Sequence, residues 1–153
     1  MKVNLIFLFI ILLFSCDSDS IPAGAFVFED KRWSDDLIVP FEFEMSDTSN
    51  TYDFVLILRN TTDYKYSNLF VGIEEFKPYG SSVTQRHEIP IAYPDGSWIG
   101  DKSGSIIENK YLIKRSRVPY IGKYKFEIKH LITDKEVEEV LDLSMMVNRY
   151  DGN

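Results

Sequence analysis

Cysteine is nearly absent from this chain of 153 residues: the one copy is Cys16. A single thiol excludes a disulfide framework and a thiolate metal cluster, so the folded part must hold together through its core. Histidine is almost as scarce. The two copies, His87 and His130, stand far apart, each on a predicted strand flanked by charge, which predicts surface positions. Basic charge is also short: 17 Lys and Arg against 24 Asp and Glu leave a net charge of −7. That balance argues against nucleic acid and against electrostatic adhesion to anionic lipid. No apolar run is long enough to cross a bilayer. The longest, Leu5–Phe14, has ten residues, which at about 1.5 Å each cover about half of a ~30 Å hydrocarbon core.

Catalytic signatures are missing too. No Gly-x-Ser-x-Gly, His-Glu-x-x-His or Gly-rich phosphate loop occurs. The neighbouring carboxylates Asp35–Asp36 and Glu74–Glu75 are adjacent in sequence, and adjacent residues of a strand point to opposite faces, a poor arrangement for paired acid–base work. The chain therefore reads as non-enzymatic, with no cofactor and no metal.

What is present begins with an address. Met1–Asn4 carries one positive charge, Lys2; Leu5–Phe14 is apolar; Ser15 is small; Cys16 follows at once. This is the order of a secretory signal. Bacterial lipoprotein signals place Leu three residues before the cut, a small residue just before it and Cys just after it, and Leu13, Ser15 and Cys16 fit. Residues 1–15 are thus expected to be removed and Cys16 to carry covalent lipid. Two or three acyl chains, at about 0.8 kcal/mol per buried methylene, hold a protein on a membrane where one would not. Asp17, Ser18, Asp19 and Ser20 form an acidic, serine-rich stretch that is either a solvated tether or a sorting signal toward the cell surface. Residues 16–24 read as lipidated cysteine plus tether, and 25–150 as one domain.

In that domain the dominant period is two. Leu37, Val39, Phe41, Phe43 and Met45 alternate with Ile38, Pro40, Glu42 and Glu44, and Pro40 predicts an edge strand or a bulge there. Tyr124, Phe126 and Ile128 alternate with Lys123, Lys125, Glu127 and Lys129; Leu141, Leu143, Met145 and Val147 repeat the pattern. Phe54–Leu58 and Leu69–Ile73 read as more central strands, joined by the turn-rich Asn60–Ser67 into an antiparallel pair. With the shorter runs at 25–30, 87–93 and 110–114, about eight strands emerge, spaced for an all-β fold. The expectation is an antiparallel β-sandwich, jelly-roll or immunoglobulin-like. At most one or two short helices are expected, with Thr133–Val140 and Gly104–Lys110 as the places for them.

The densest loop is Tyr93–Gly104. Pro94-Asp95-Gly96 is a turn with a mechanism, and Trp98 follows. Trp98 beside Asp95 and Asp101 suits sugar stacking, the two aspartates suit calcium, and a tryptophan plugging the end of the sandwich suits neither; Trp33 reads as packed. Asn60–Asn68 and Tyr93–Asp101 together make the candidate contact surface, with Tyr66, Asn68, Asp95, Trp98 and Asp101 as contact residues. Polar turns with aromatics on a rigid sheet are typical of recognition loops. Lys114, Arg115 and Arg117 read as a solvated strand end.

Arg59-Asn60 followed by Tyr66-Ser67-Asn68-Leu69-Phe70, then Pro94-Asp95-Gly96 with Trp98 and Gly100, then the Gly122–His130 strand, all behind a lipoprotein signal, resemble the GldH family of gliding-motility lipoproteins from Bacteroidetes. The resemblance runs from about Trp33 to Arg149. It implies an outer-membrane lipoprotein on the periplasmic face or the cell surface. Its expected role is an assembly or scaffold component, working with other envelope lipoproteins of the gliding and type 9 secretion apparatus. It brings no catalytic residue. From the residues alone, a surface carbohydrate-binding module is the alternative.

Overall fold

The computed structural model describes residues 20–152. Residues 1–15, Cys16, Asp17, Ser18 and Asp19 lie outside the described residues, and with them the export and lipidation readings. The strands are β1 (Ser20–Val27), β2 (Arg32–Ser34), β3 (Val39–Met45), β4 (Thr51–Thr61), β5 (Asn68–Phe76), β6 (Ser82–Pro90), β7 (Asp101–Ser103), β8 (Ile106–Arg117), β9 (Gly122–His130), β10 (Glu136–Glu138) and β11 (Val140–Arg149). Two short 3-10 turns, Glu29–Lys31 and Pro78–Gly80, are the helical pieces among the described residues.

The strands form two antiparallel sheets packed face to face, ordered β1-β11-β4-β8-β7 and β3-β9-β5-β6, while β2 and β10 pair separately. Among the eight long strands, the first pairs with the last, the second with the seventh, the third with the sixth and the fourth with the fifth. That nesting is a jelly roll. An immunoglobulin-like sandwich, the other expected form, does not join its first strand to its last.

Alternation builds the core. Val39, Phe41, Phe43 and Met45 of β3 are buried and Pro40, Glu42 and Glu44 exposed. β3 lies at a sheet edge, where a residue without an N–H is tolerated. Tyr124, Phe126 and Ile128 of β9 point the same way, and Phe54, Leu56 and Leu58 of the central β4 answer them from the other sheet. Phe43, Phe54 and Phe126 meet with ring centroids 5.7–6.0 Å apart. Each buried ring contributes about 1.5–3 kcal/mol.

Four expectations are corrected. β4 and β5 do not pair: β4 lies between β11 and β8, β5 between β9 and β6, and the connection between them crosses from one sheet to the other. Thr133–Val140 forms no helix, because Val137 is buried in β10 opposite Trp33 and Val140 already belongs to β11. Gly104–Lys110 forms no helical turn either; Gly104 takes φ +61° between β7 and β8, which pair directly. Ser20–Gly24 is not tether but the first half of β1, held against β11, with Ile21, Ala23 and Phe26 packed on the core. A bulge between Pro22 and Gly24 lets this edge strand accommodate both.

The sandwich has two unlike ends. At one stand Ser20 and Arg149 with the connections 46–50, 77–81 and 118–121; this is the end at which β1 begins, four residues after Cys16. At the distal end are the connections 62–67 and 91–105 and the small β2–β10 sheet. That small sheet closes the mouth: Trp33 is fully buried, as expected, stacked on Phe28 at 5.1 Å and donating from Nε1 to the Leu37 carbonyl at 3.0 Å.

Beneath Trp33 lies His130, 3% exposed rather than at the surface. It extends the inward series Tyr124, Phe126, Ile128 by one step, and its ring meets Trp33 edge-on at 5.5 Å. Neither ring nitrogen has a hydrogen bond of good geometry, and the Trp33 backbone is only a weak partner. Burial therefore holds its pKa below the ordinary value, against the opposing pull of Asp35 and the Trp33 backbone. The unfolded chain then binds the extra proton, so this contribution to stability is full above the unfolded pKa of about 6.5 and is lost as pH falls through it toward the folded value. Urea unfolding from about pH 7.5 down to 5 should show stability falling, with His130 contributing a slope of up to about 1.4 kcal/mol per pH unit, the ceiling for one proton, and His87, whose pKa burial also lowers, adding its own share. His130→Phe should flatten that slope, and a variant as steep as the parent sinks the assignment.

Candidate contact surface at the distal loops

The distal loops are tied together by backbone. The Ser67 carbonyl accepts from Ile91 N–H at 2.8 Å and from Ala92 N–H at 3.0 Å, so the 62–67 loop carries the 91–99 loop on its back. Within the latter, Tyr93 N–H donates to the Ser97 carbonyl (2.8 Å), and Ala92 bridges to Trp98. Between the two loops lies an open groove of about 370 Å³, lined among others by Tyr64, Lys65, Tyr66, Tyr93, Pro94 and Trp98.

Of the five contact residues expected, Tyr66 and Trp98 come together in this groove. Trp98 is half-buried and packs against the core, whereas Tyr93 offers the freer ring at 53% exposure. Tyr66 is half-buried as well; its hydroxyl donates to Asp134, which Lys65 also meets at 3.3 Å, and both hold the Asp134 carboxyl below its usual range. Asp134 was missed because its segment resembled a helix start; its place beside Tyr66 depends on the turn between β9 and β10. Asp95 stands on the rim and serves its own turn, accepting from Ser97 N–H (2.9 Å) and Oγ–H (2.6 Å), which lowers its pKa. Asn68 is outside the groove, donating to Glu88 across the β5–β6 ladder at 2.7 Å. Asp101 is exposed on β7 opposite Glu108 and lines a separate hollow with Ile99, Gly100 and Asn109. Among the described residues no group of three or more His, Cys, Asp or Glu side chains could hold a metal ion.

The first residues of the expected surface lie inside instead. Asn60 is fully buried and Thr61 is 7% exposed. Asn60 accepts from Asn109 Nδ2 (2.8 Å) and donates to the Thr61 carbonyl (2.8 Å), joining β4 to β8. A bulge at Leu141 turns Asp142 toward Arg59, whose Nε donates to both its oxygens at 2.9 and 3.0 Å, joining β4 to β11. Gly100 rests on the same structure: a Cβ there would stand 2.4 Å from the Glu108 carbonyl oxygen and 2.6 Å from Asn109 Oδ1. Arg59, Asn60 and Gly100 thus seat the distal loops on the sheet, and the groove is what those loops enclose.

Comparison with known proteins agrees with the resemblance. The GldH lipoprotein family model matches residues 26–147. A gliding motility lipoprotein GldH homolog of Christiangramia forsetii is 30% identical, over 96% of this chain and 95% of its own length. Gliding motility lipoprotein GldH of Flavobacterium johnsoniae is 28% identical, over 92% of each chain. Among solved structures, a chain of infectious bursal disease virus Gt strain overlaps 88% of this chain and 33% of its own length, with 13% identity and a TM-score of 0.42, too low to carry an argument. With its family motif residues placed in the fold and the family model matched over nearly the whole sandwich, the chain belongs to the GldH lipoprotein family.

Proposed function

We propose that the protein is an outer-membrane lipoprotein, held by acyl chains on Cys16, that works by contact as a non-catalytic assembly component of the gliding-motility apparatus linked to type 9 secretion. Relatives named as gliding motility lipoproteins along nearly their whole length support the motility role. The observation that carries the contact role is the groove between the 62–67 and 91–99 loops, at the end of the sandwich opposite the start of β1. A domain anchored at one end presents the other to its partners, and polar loops with aromatics on a rigid scaffold are suited to protein recognition. The partners in this reading are other envelope lipoproteins of the same apparatus.

In cells, Tyr93→Ala with Lys65→Ala should abolish crosslinking to such a lipoprotein while changing stability by less than about 0.5 kcal/mol each, since both side chains are exposed. Undiminished crosslinking would reject the groove as the contact. Glycan-array binding that is lost with Tyr93→Ala and Trp98→Ala would favour the carbohydrate reading instead.

A further inference from the structure

The end at which β1 begins, the anchored end in the proposed function, carries an exposed apolar cluster that the contact reading leaves unused. Tyr79 is 88% exposed, Ile121 58% and Tyr120 44%. They sit on two neighbouring connections, Pro78–Gly80 between β5 and β6 and 118–121 between β8 and β9. The two connections touch. The Tyr79 and Tyr120 rings meet edge to face at 5.5 Å, and a Cβ on Gly122 would stand 3.3 Å from Pro78 Cγ. Tyr79 holds φ +71°, a backbone setting that bulky residues rarely adopt, and its side chain projects out of the sandwich.

What faces this cluster follows from the covalent chain. Cys16 and Ser20 are four residues apart, and no conformation stretches that beyond about 14 Å. Ser20 opens β1 at the same end as Tyr79, Tyr120 and Ile121. If Cys16 is lipidated, this end is confined to the neighbourhood of the headgroups. Tyrosine is enriched at that level, where a ring can be apolar and its hydroxyl wet. Three carboxylates nearby are paired with cations within the fold, while Asp47 is held only by neutral groups and Glu44 is exposed. Asp53 accepts from Arg115 at 2.6 and 2.8 Å, Glu75 from Lys114 at 2.5 Å and Glu42 from Lys123 at 3.0 Å. Asp47 is held by Ser49, Asn50 and Tyr52. Arg117 ends β8 exposed at this end.

We propose that Tyr79, Tyr120 and Ile121 form a lipid-contact surface that enters the headgroup layer of the membrane holding Cys16, and so stands the sandwich upright with its distal groove turned away from the bilayer. This deepens the anchor reading and rests on it. The acyl chains supply attachment, and the three side chains supply orientation.

The test uses the full-length protein purified from its own envelope and reconstituted in phosphatidylethanolamine–phosphatidylglycerol vesicles. With Cys16 blocked by lipid, an introduced cysteine is the sole free thiol. A polarity-sensitive fluorophore is placed through Ile121→Cys, and in a second preparation through Lys102→Cys on β7. The label at 121 should emit to the blue of the label at 102 and lose most of its intensity to a headgroup nitroxide lipid that leaves 102 unaffected. A label at 121 as aqueous as that at 102, on protein that floats with the vesicles, overturns the proposal alone. So does a label shielded from aqueous quencher yet unreached by the lipid nitroxide, since a protein surface would then cover it. Protein that fails to float, with Cys16 unmodified by mass, overturns the anchor reading and this proposal together.

Discussion

Trp33→Ala should lower the melting temperature by about 10–20 °C, for a stability loss of about 3–5 kcal/mol. The indole is fully buried, and it ties the exit of β1, in one sheet, to β9 and β3, which pair in the other. It stacks on Phe28 after β1, covers His130 at the end of β9, and donates to Leu37 ahead of β3. Opposite it, Val137 of β10 is its partner in the two-stranded cap. Truncation leaves a cavity that this cap cannot close without breaking its own pairing. A domain of this size is stable by about 5–15 kcal/mol in total, so the loss takes a large share. The variant should also uncover His130, returning its pKa toward the ordinary value and weakening the acid dependence of stability. Differential scanning calorimetry with urea melts at two pH values measures both. A fall of only a few degrees would mean that Trp33 plugs nothing the loops cannot fill themselves.

Glu75→Gln should cost about 2–4 kcal/mol, although Glu75 neighbours Glu74 in what reads as an ordinary acidic pair. Glu75 continues the inward series Leu69, Val71, Ile73 of β5 and is 13% exposed. Across the sandwich it accepts from Lys114 Nζ at 2.5 Å, which lies over the rings of Phe54 (4.6 Å) and Phe126 (5.5 Å). Lys114 is therefore not part of a solvated strand end. Burial pushes its pKa down, and Glu75 opposes that shift. Removing the carboxylate leaves a cation facing aromatic surface at the end of the core where β1 begins. Replacing both members, Lys114→Met with Glu75→Leu, should come within about 1 kcal/mol of the parent, because a desolvated pair is often no better than apolar residues of similar volume. Chemical denaturation of both singles and the double closes the cycle. A double variant as unstable as the sum of its singles would show that the two groups are uncoupled.

These two cases show where sequence patterning stops. Period two assigned β3, β9 and most of β11 to the correct faces, because a strand with one buried face must alternate. The same rule extended one step would have placed Glu75 and His130 inside; charged flanks argued for the surface, and tertiary context overrode them. Bulges account for the rest. The extra residue at Ile113 turns Lys114 inward, the one at Leu141 turns Asp142 toward Arg59, and neither shift leaves a local mark in the sequence. The distal groove was half legible. Its turns are written in Pro94-Asp95-Gly96, but the Ser67 carbonyl that carries the 91–99 loop, and Asp134 beside Tyr66, come from segments far away in the chain.

By itself the sequence determined the class of fold, the packed Trp33 and the family, since each rests on local alternation or on motifs read in order along one chain. Which sheet each strand joins was decided only in three dimensions, and with it the jelly roll rather than the immunoglobulin-like form, because pairing the first strand with the last is a contact between residues more than a hundred positions apart. The two ends were decided there as well. Nothing in the order of residues says that Tyr79, Tyr120 and Ser20 share one end of the sandwich while Tyr66 and Trp98 share the other. That follows from the direction in which each strand runs once the sheets have closed on a common core.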